Sequence, residues 1–312
     1  MVTAWLGFVA APVLAGAAFA YAWTRRGVVS RWGAWPAIAA CLAMPFALPP
    51  VWTAVQVIVS VVAVTTAAKA HMAAHGGPRD PAMAANVGRF ALWWIMPPES
   101  TWPADPVAAA RARARGLRRA VRVAAKLPVF GALYLVHARV PELHAHRVVE
   151  AFWALWMCWL GVSAIADGVT ALVMQFGVDF EEIFEVPPLA RSPRDFWGRR
   201  WNLFVHRFAA RFLFLPLGGR RHPARAMFGV FLCSGLMHEY FVFACTGAQG
   251  THAGWMMGFF TLHGLAVVGE MALRRRRKRP LPEPVAVALH IGWLTVTGPL
   301  FFGPMGEVFA GW

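Results

Sequence analysis

Charged residues are scarce in this chain. Only 14% of its 312 residues are Asp, Glu, Lys or Arg, where a soluble domain usually carries about a quarter. No polar stretch is long enough to house a separate soluble domain. Cysteine is sparse too. Cys41, Cys158, Cys233 and Cys245 all lie in apolar runs, without CxxC spacing or clustered His, so a disulfide framework and a zinc site give way to small buried side chains. The chain also lacks a GxSxG elbow, an HHxxxDG motif and a Walker loop. Acidic residues are the rarer charge, 15 against 30 Lys+Arg, for a net charge of +15. The excess sits in short loops between apolar runs. It reads as headgroup contact and topology rather than nucleic-acid binding, which would need a basic soluble module.

What the chain has in quantity is apolar sequence, 58% of its residues, with a mean hydropathy of +0.50. This is an all-α integral membrane composition. Apolar runs predict about eight transmembrane helices near 3–23, 32–48, 51–68, 121–137, 148–175, 224–246, 254–273 and 284–304, each close to the length needed to cross a bilayer. Pro49-Pro50 marks a turn between the second and third. The piece Phe90–Met96 is too short to span and reads as interfacial or re-entrant. Residues 108–126 carry Arg111, Arg113, Arg115, Arg118, Arg119, Arg122 and Lys126 with no acid, the pattern of a basic amphipathic helix on an anionic leaflet. The segment 176–223 is the longest that does not span, and one or two surface helices are expected in it. Sixteen Trp is a large number, and Trp23, Trp32, Trp52 and Trp94 end apolar runs, where indoles favour the headgroup boundary.

With eight spans, loops 24–31, 69–120, 176–223 and 274–282 fall on one side and hold most of the Arg and Lys, including Arg274–Arg279. This satisfies the positive-inside bias, with both termini outside and the basic loops cytoplasmic. Residues 1–312 therefore read as one polytopic membrane domain. The Ala, Arg, Gly and Pro bias suggests a bacterial source and an inner-membrane location.

Two motifs stand out against this background. Arg194–Asn202 is basic and aromatic, and Ser234-Gly235-Leu236-Met237-His238-Glu239 lies inside an apolar run. Ionisable residues at that depth are costly and mark function by default. A neutral, desolvated imidazole at His238 suits a general base near neutral pH; a structural His bonded to a neighbouring helix is the alternative. Arg199 and Arg200 suit phosphate or pyrophosphate. Asn202 offers an uncharged amide to orient a carbonyl or the His. A headgroup anchor is the plainer account of Arg199, Arg200, Trp197 and Trp201.

Asp195-Phe196-Trp197-Gly198-Arg199-Arg200-Trp201-Asn202 followed by Ser234–Glu239 resembles the wax synthase family of the membrane-bound O-acyltransferases, over roughly 190–245. The resemblance implies a membrane-bound O-acyltransferase-like fold and transfer of an acyl group from acyl-CoA to a lipid-like alcohol. No cofactor or metal is implied beyond acyl-CoA as co-substrate, and the partners implied are that donor, the alcohol acceptor and an anionic bilayer. His238 and Asn202 would be catalytic. Arg194, Arg199, Arg200, Trp197, Trp201, Ser234 and Glu239 would bind substrate, the arginines holding CoA phosphates. A sterol, diacylglycerol or secondary-metabolite hydroxyl remains an alternative acceptor. A proton-coupled transporter using His238 and Asp167 is the alternative of another class, although the paired repeats usual in transporters are absent.

Other polar residues carry weaker signals. His75 and Asp80 fit an H-x4-D spacing, but no phosphate-binding block accompanies them in a chain with 11 His. His71 and His75 share a helix face without a carboxylate between them or a third ligand, which argues against zinc. Asp167 and Glu270 are expected to pair with Arg or make helix-packing hydrogen bonds. His263 and His290, on late spans, are expected to be structural; lining the same cavity is the alternative.

Overall fold

The computed structural model describes residues 13–14, 16–18, 20–22, 34–47, 53–96, 99–247, 250–274 and 281–309. They form an all-α membrane protein whose described strands make one ladder, β1 (Ser100–Thr101) antiparallel to β2 (Asp179–Phe180), with Ser100 opposite Phe180. The helices are α1 (Ala34–Ala43), α2 (Thr53–Ala74), α3 (Val87–Ile95), α4 (Pro106–Arg139) and α5 (Arg147–Met174). They are followed by α6 (Pro193–Asp195), α7 (Leu203–Ala209), α8 (Pro223–Thr246), α9 (Trp255–Arg274), α10 (Glu283–Thr297) and α11 (Pro299–Phe309).

Five of these, α2, α4, α5, α8 and α9, are long and apolar enough to cross a membrane. A sixth span arises if α10 and α11, bent by 52°, are taken together. The bend falls where Pro299 removes a backbone donor and cannot continue the ladder. The expected eight are thus not reached among the described residues. The run 3–23 lies largely outside them, as do Trp23, Trp32 and Trp52. The run 32–48 holds only the short apolar helix Ala34–Ala47.

Two further expectations change. The piece 90–96 belongs to α3, capped by the Asn86 side chain on Arg89 N–H, and its Phe90, Trp93 and Trp94 are buried in the protein rather than at a boundary. The basic run 108–126 and the overlapping span 121–137 are continuous in one helix, α4, and the basic run is not a separate helix on the surface. Asp105 caps it and Pro106 starts it. At about 1.5 Å per residue, its 34 residues run about 51 Å, well beyond a hydrocarbon core of roughly 30 Å. The surplus is the basic half.

That half is not simply laid on lipid. Arg115 makes a two-pronged contact with Asp179 (3.0 and 2.6 Å). Arg119, 3% exposed, donates to the Phe180 carbonyl. Arg122 reaches both Asp167 (2.8 Å) and Glu182 (3.0 Å), and Lys126 reaches Asp167 (2.7 Å). From the other side, Arg207 and Arg79 hold Glu181. The acidic turn 179–182 is therefore clamped between cations from three parts of the chain, which fixes the entry to the segment carrying the first motif. Asp167 pairs with cations, as the sequence suggested.

α8 and α9 form an antiparallel hairpin, so loop 247–254 lies at the end away from Pro223 and Arg274. The pair packs closely at two glycines. A Cβ on Gly235 would lie 2.9 Å from Met257 Sδ and 3.2 Å from Met257 Cα, and one on Gly264 would lie 2.9 Å from Phe231 Cβ. Gly235 stands three residues before His238. Substituting Gly235 by Ala should therefore lower the thermal midpoint of the solubilised protein, because overpacking costs about 1–3 kcal/mol, more than the roughly 1 kcal/mol Ala gains in helix propensity. Gly269→Ala, with nothing within 4 Å of the added Cβ, should leave the midpoint unchanged or higher. Equal midpoints for the two variants would refute the close-packing account.

Candidate active site

The first motif is a short polar helix pinned from several directions. Ser192 caps it, its hydroxyl accepting the Asp195 N–H. α6 then widens into a π-type turn over Phe196–Arg200, a geometry common at functional sites. Glu270 of α9 accepts from the Ser192 hydroxyl (2.9 Å) and from the Arg194 N–H (3.0 Å). Asp195 accepts from the Arg191 N–H (3.1 Å) and from Arg200 Nε (3.0 Å). Burial pushes the Asp195 carboxyl up, but the Arg191 N–H and the guanidinium groups of Arg200 and Arg199 outweigh it and hold the group below the usual carboxylate range. The folded state therefore gains from this pairing above the ordinary carboxylate range and loses the gain as pH falls through and below it.

Trp197 links the motif to the spans. Its Nε1–H donates to His263 Nδ1 (3.1 Å), and His263 Nε2 lies 3.0 Å from Thr297 Oγ1, whose hydroxyl donates to the Trp293 carbonyl (2.8 Å). Because an indole only donates, His263 Nδ1 must accept and Nε2 must carry the proton. Both ring nitrogens are thus spoken for, and His263 is structural. His290, 3% exposed, packs its ring against Phe196 (5.3 Å). Neither histidine lines the cavity described next.

Asn202 ends the motif in the left-handed region (φ 45°, ψ 61°), where Asn is tolerated far better than other side-chain-bearing residues. Its side-chain oxygen caps α7 by accepting the Val205 N–H (3.3 Å). From α8, His238 Nδ1 lies 2.8 Å from the Ser234 carbonyl oxygen. A carbonyl can only accept, so Nδ1 carries the hydrogen and, in the neutral ring, Nε2 keeps its lone pair. The ring stacks obliquely on Phe260 (4.4 Å) and lies near Phe301 (5.9 Å).

Both motifs open into one cavity of about 1380 Å³, larger than the roughly 300–1,000 Å³ usual for a drug-sized ligand. Seven of the nine residues singled out in the sequence line it: His238, Asn202, Arg194, Arg199, Trp197, Trp201 and Ser234. Two do not. Arg200 turns to Asp195 and to the carbonyls of Glu185 and Val186. Glu239 accepts the Met257 N–H near the start of α9 (3.0 Å), a helix-start contact rather than a cavity one. Arg199, with a side chain 74% exposed, marks the polar mouth.

No pattern in the sequence pointed to the aromatic wall (Phe231, Phe260, Phe301) or to His206 and His252, which also line the cavity. These residues come from four helices and the α8–α9 loop and meet only in the tertiary structure. The His75/Asp80 pair forms no dyad. Both Asp80 oxygens accept backbone N–H groups, from Ala82 and Trp102, and His75 Nδ1 bonds the His71 carbonyl. No group of three or more His, Cys, Asp or Glu side chains able to hold a metal occurs among the described residues.

Comparison with known proteins bears on the same segment. Residues 180–262 match the family model described as the membrane bound O-acyl transferase family. That range contains both motifs, so the segment that builds the site is similar to that family. The chain is also 34% identical over 200 residues to the long-chain-alcohol O-fatty-acyltransferase of Simmondsia chinensis, covering 60% of this chain and 55% of that one. It is 32% identical over 193 residues (58% and 55%) to "Probable long-chain-alcohol O-fatty-acyltransferase 6" of Arabidopsis thaliana. The resemblance to the wax synthase type is thereby shown. The chain spans about half the length of these curated relatives. They are plant proteins and lend no support to the bacterial inner-membrane location suggested by composition.

Asn202 offers a test of local structure. Asn202→Ala loses the cap, worth about 1 kcal/mol, and strains a left-handed backbone position by roughly 1–2 kcal/mol. Asn202→Gly loses the cap but keeps the backbone, at a few tenths of a kcal/mol. Thermal unfolding should rank wild type close to Gly and clearly above Ala; an Ala variant as stable as wild type would refute the assigned geometry.

Proposed function

We propose that the chain is an acyl-CoA-dependent O-acyltransferase that esterifies a long-chain alcohol, with His238 as general base. The observation that carries this reading is the shared cavity. It joins an imidazole with a free Nε2 to a basic, aromatic motif, and its volume suits two long apolar substrates rather than one small one. The alcohol as acceptor is what the relatives' names say of those proteins.

In this mechanism His238 Nε2 takes the hydroxyl proton as the alcohol oxygen attacks the thioester carbonyl carbon. The C–S bond breaks, and the CoA thiolate leaves with the proton returned by His238. No protein nucleophile is needed. Arg194 and Arg199 would hold CoA phosphates at the polar mouth, where charge-assisted contacts are strongest. Arg200, earlier grouped with them, is assigned instead to holding the motif. Asn202 would orient the thioester carbonyl with the amide nitrogen that its capping bond leaves available. The reading takes acyl-CoA as co-substrate and needs no cofactor. It includes one polytopic domain over 1–312, with eight crossings once the runs 3–23 and 34–47 are added to the six. α6 and α7 would lie at the membrane surface, and the basic loops would be cytoplasmic beside anionic lipid.

The test is to incubate membranes carrying the protein with labelled acyl-CoA and a panel of fatty alcohols, sterols and diacylglycerol, then identify the product. Fatty-alcohol ester is expected. His238→Ala should reduce its formation by about 10²–10⁴-fold, the usual worth of a positioned general base, while insertion and CoA binding persist. Undiminished ester formation in that variant would end the assignment of His238, and a sterol or glyceride ester would replace the acceptor.

A further inference from the structure

A lysine is buried where the proposed chemistry has no use for it. Lys69 of α2 is 0% exposed, and its Nζ meets no hydrogen-bond acceptor among the described residues. Its contacts are ring faces instead. The ammonium nitrogen lies 4.4 Å from the centre of the Trp93 ring of α3 and 5.6 Å from that of Phe204 of α7, both within reach of a cation–π attraction. Glu99, also buried and without a hydrogen-bond donor on its carboxylate, supplies the opposing charge. A methionine would fill similar space without desolvating an ammonium group. What the lysine adds is direction, because a cation is drawn to the face of a ring and an apolar chain is not.

α7 has need of that direction. It is seven residues long and stands between the buried core and the cavity. Its cap Asn202, with Val205, His206 and Ala209, lines the cavity. Its other face, Phe204 and Phe208, packs on the core built by α2 and α3. Arg207 ties the helix to the Glu182 carbonyl and to Glu181; on the core side the charged contact is the one from Lys69. Because the Asn202 oxygen caps α7, any roll of the helix carries the Asn202 amide with it.

We propose that Lys69 is a positioning residue for the acyl-transfer site: its ammonium group, seated on Trp93, fixes Phe204 and thereby the roll of α7 and the direction of the Asn202 amide. The inference rests on the acyltransferase reading. It extends the working site to α2, outside both motifs and outside the matched range 180–262.

The experiment measures ester formation from hexadecanol and labelled acyl-CoA by the full chain in membranes, beside the thermal midpoint of the solubilised protein. Lys69→Met with Glu99→Gln removes both buried charges together, so the midpoint should stay at or above that of wild type. kcat should nonetheless fall about tenfold, since a misplacement of about 1 Å can cost roughly 10²-fold. The KM for acyl-CoA should be unchanged. Phe204→Leu, which keeps an apolar side chain but no ring face, should lose a similar factor, and Phe204→Tyr should stay close to wild type. Adding Phe204→Leu to the charge-free variant should cause no further loss, because both changes remove the same contact. Wild-type kcat in the folded charge-free variant overturns the positioning role alone, and so do losses that multiply. A kcat loss that comes only with a lowered midpoint also overturns it and makes Lys69 a packing residue. If the charge-free variant does not fold, the Phe204 variants decide: a loss confined to Leu supports the role, and equal kcat in Leu and Tyr overturns it. Absence of ester from the wild type overturns the acyltransferase reading, and the positioning role with it.

Discussion

Glu270 and His263 stand seven residues apart on α9, hence on one face of the helix, and between them they hold the polar segment Ser192–Arg200. Glu270 fixes its start through Ser192 and the Arg194 N–H, and His263 fixes its middle through the Trp197 indole. Everything else about the site depends on this pinning. The π-type turn packs Phe196 and Trp197 among other apolar side chains, but its Ser192–Arg194 start and its Arg side are oriented by hydrogen bonds. In a low-dielectric surround such bonds are strong when made and costly when one partner is missing. The chain places the cation-rich segment of the site against α9, and α8, which carries His238, against the same helix through Gly235 and Gly264. α9 is thus the common reference for both motifs, and their relative position is set without any direct bond between Asn202 and His238 having to form.

A second set of charges works at the other edge of the same segment. Arg115, Arg119 and Arg122 of α4 meet Asp167, Asp179 and Glu182, and Arg207 meets Glu181, so the basic half of a helix too long for the bilayer is partly neutralised within the protein. Exposed pairs of this kind contribute little singly. Asp167 is different: its side chain is 11% exposed and it faces two cations, so removal of the carboxylate would strand both in a partly desolvated place. The value of the set lies in fixing where the loop from 176 begins, and with it the angle at which the first motif approaches α9.

What could be read from the sequence divides along physical lines. Membrane helices announce themselves because lipid demands long apolar runs, and α2, α5, α8 and α9 fall close to where hydropathy put them. The two motifs were legible because ionisable groups in apolar runs are rare, and most of their residues do meet in one cavity. Arg200 and Glu239 were not legible, since a residue type says what a side chain can bind but not which partner reaches it first. Asp195, two carbonyls and the start of α9 were nearer. The same blindness hid His252. As a lone His in a short loop it carries no pattern, and its orientation depends on a carboxylate 55 residues away. The basic run 108–126 misled for the complementary reason: its counter-charges lie at 167 and 179–182, beyond any local window.

The tautomers connect these strands of argument. His238, His252 and His263 each have one nitrogen whose role is set by a partner that can only donate or only accept: a carbonyl, a carboxylate and an indole. For His263 the second nitrogen is also consumed, by Thr297, and the ring is spent on structure. For His238 and His252 the second nitrogen is left as an acceptor, and both residues line the cavity. All three rings pack on aromatic side chains, but only His263 is fully buried, and it is the one with both nitrogens committed. His238 is held by a backbone carbonyl of its own helix, which adds no charge and leaves its basicity to the surroundings. His252 is instead held by a carboxylate from another helix, so the two rings that line the cavity are oriented by partners of different charge.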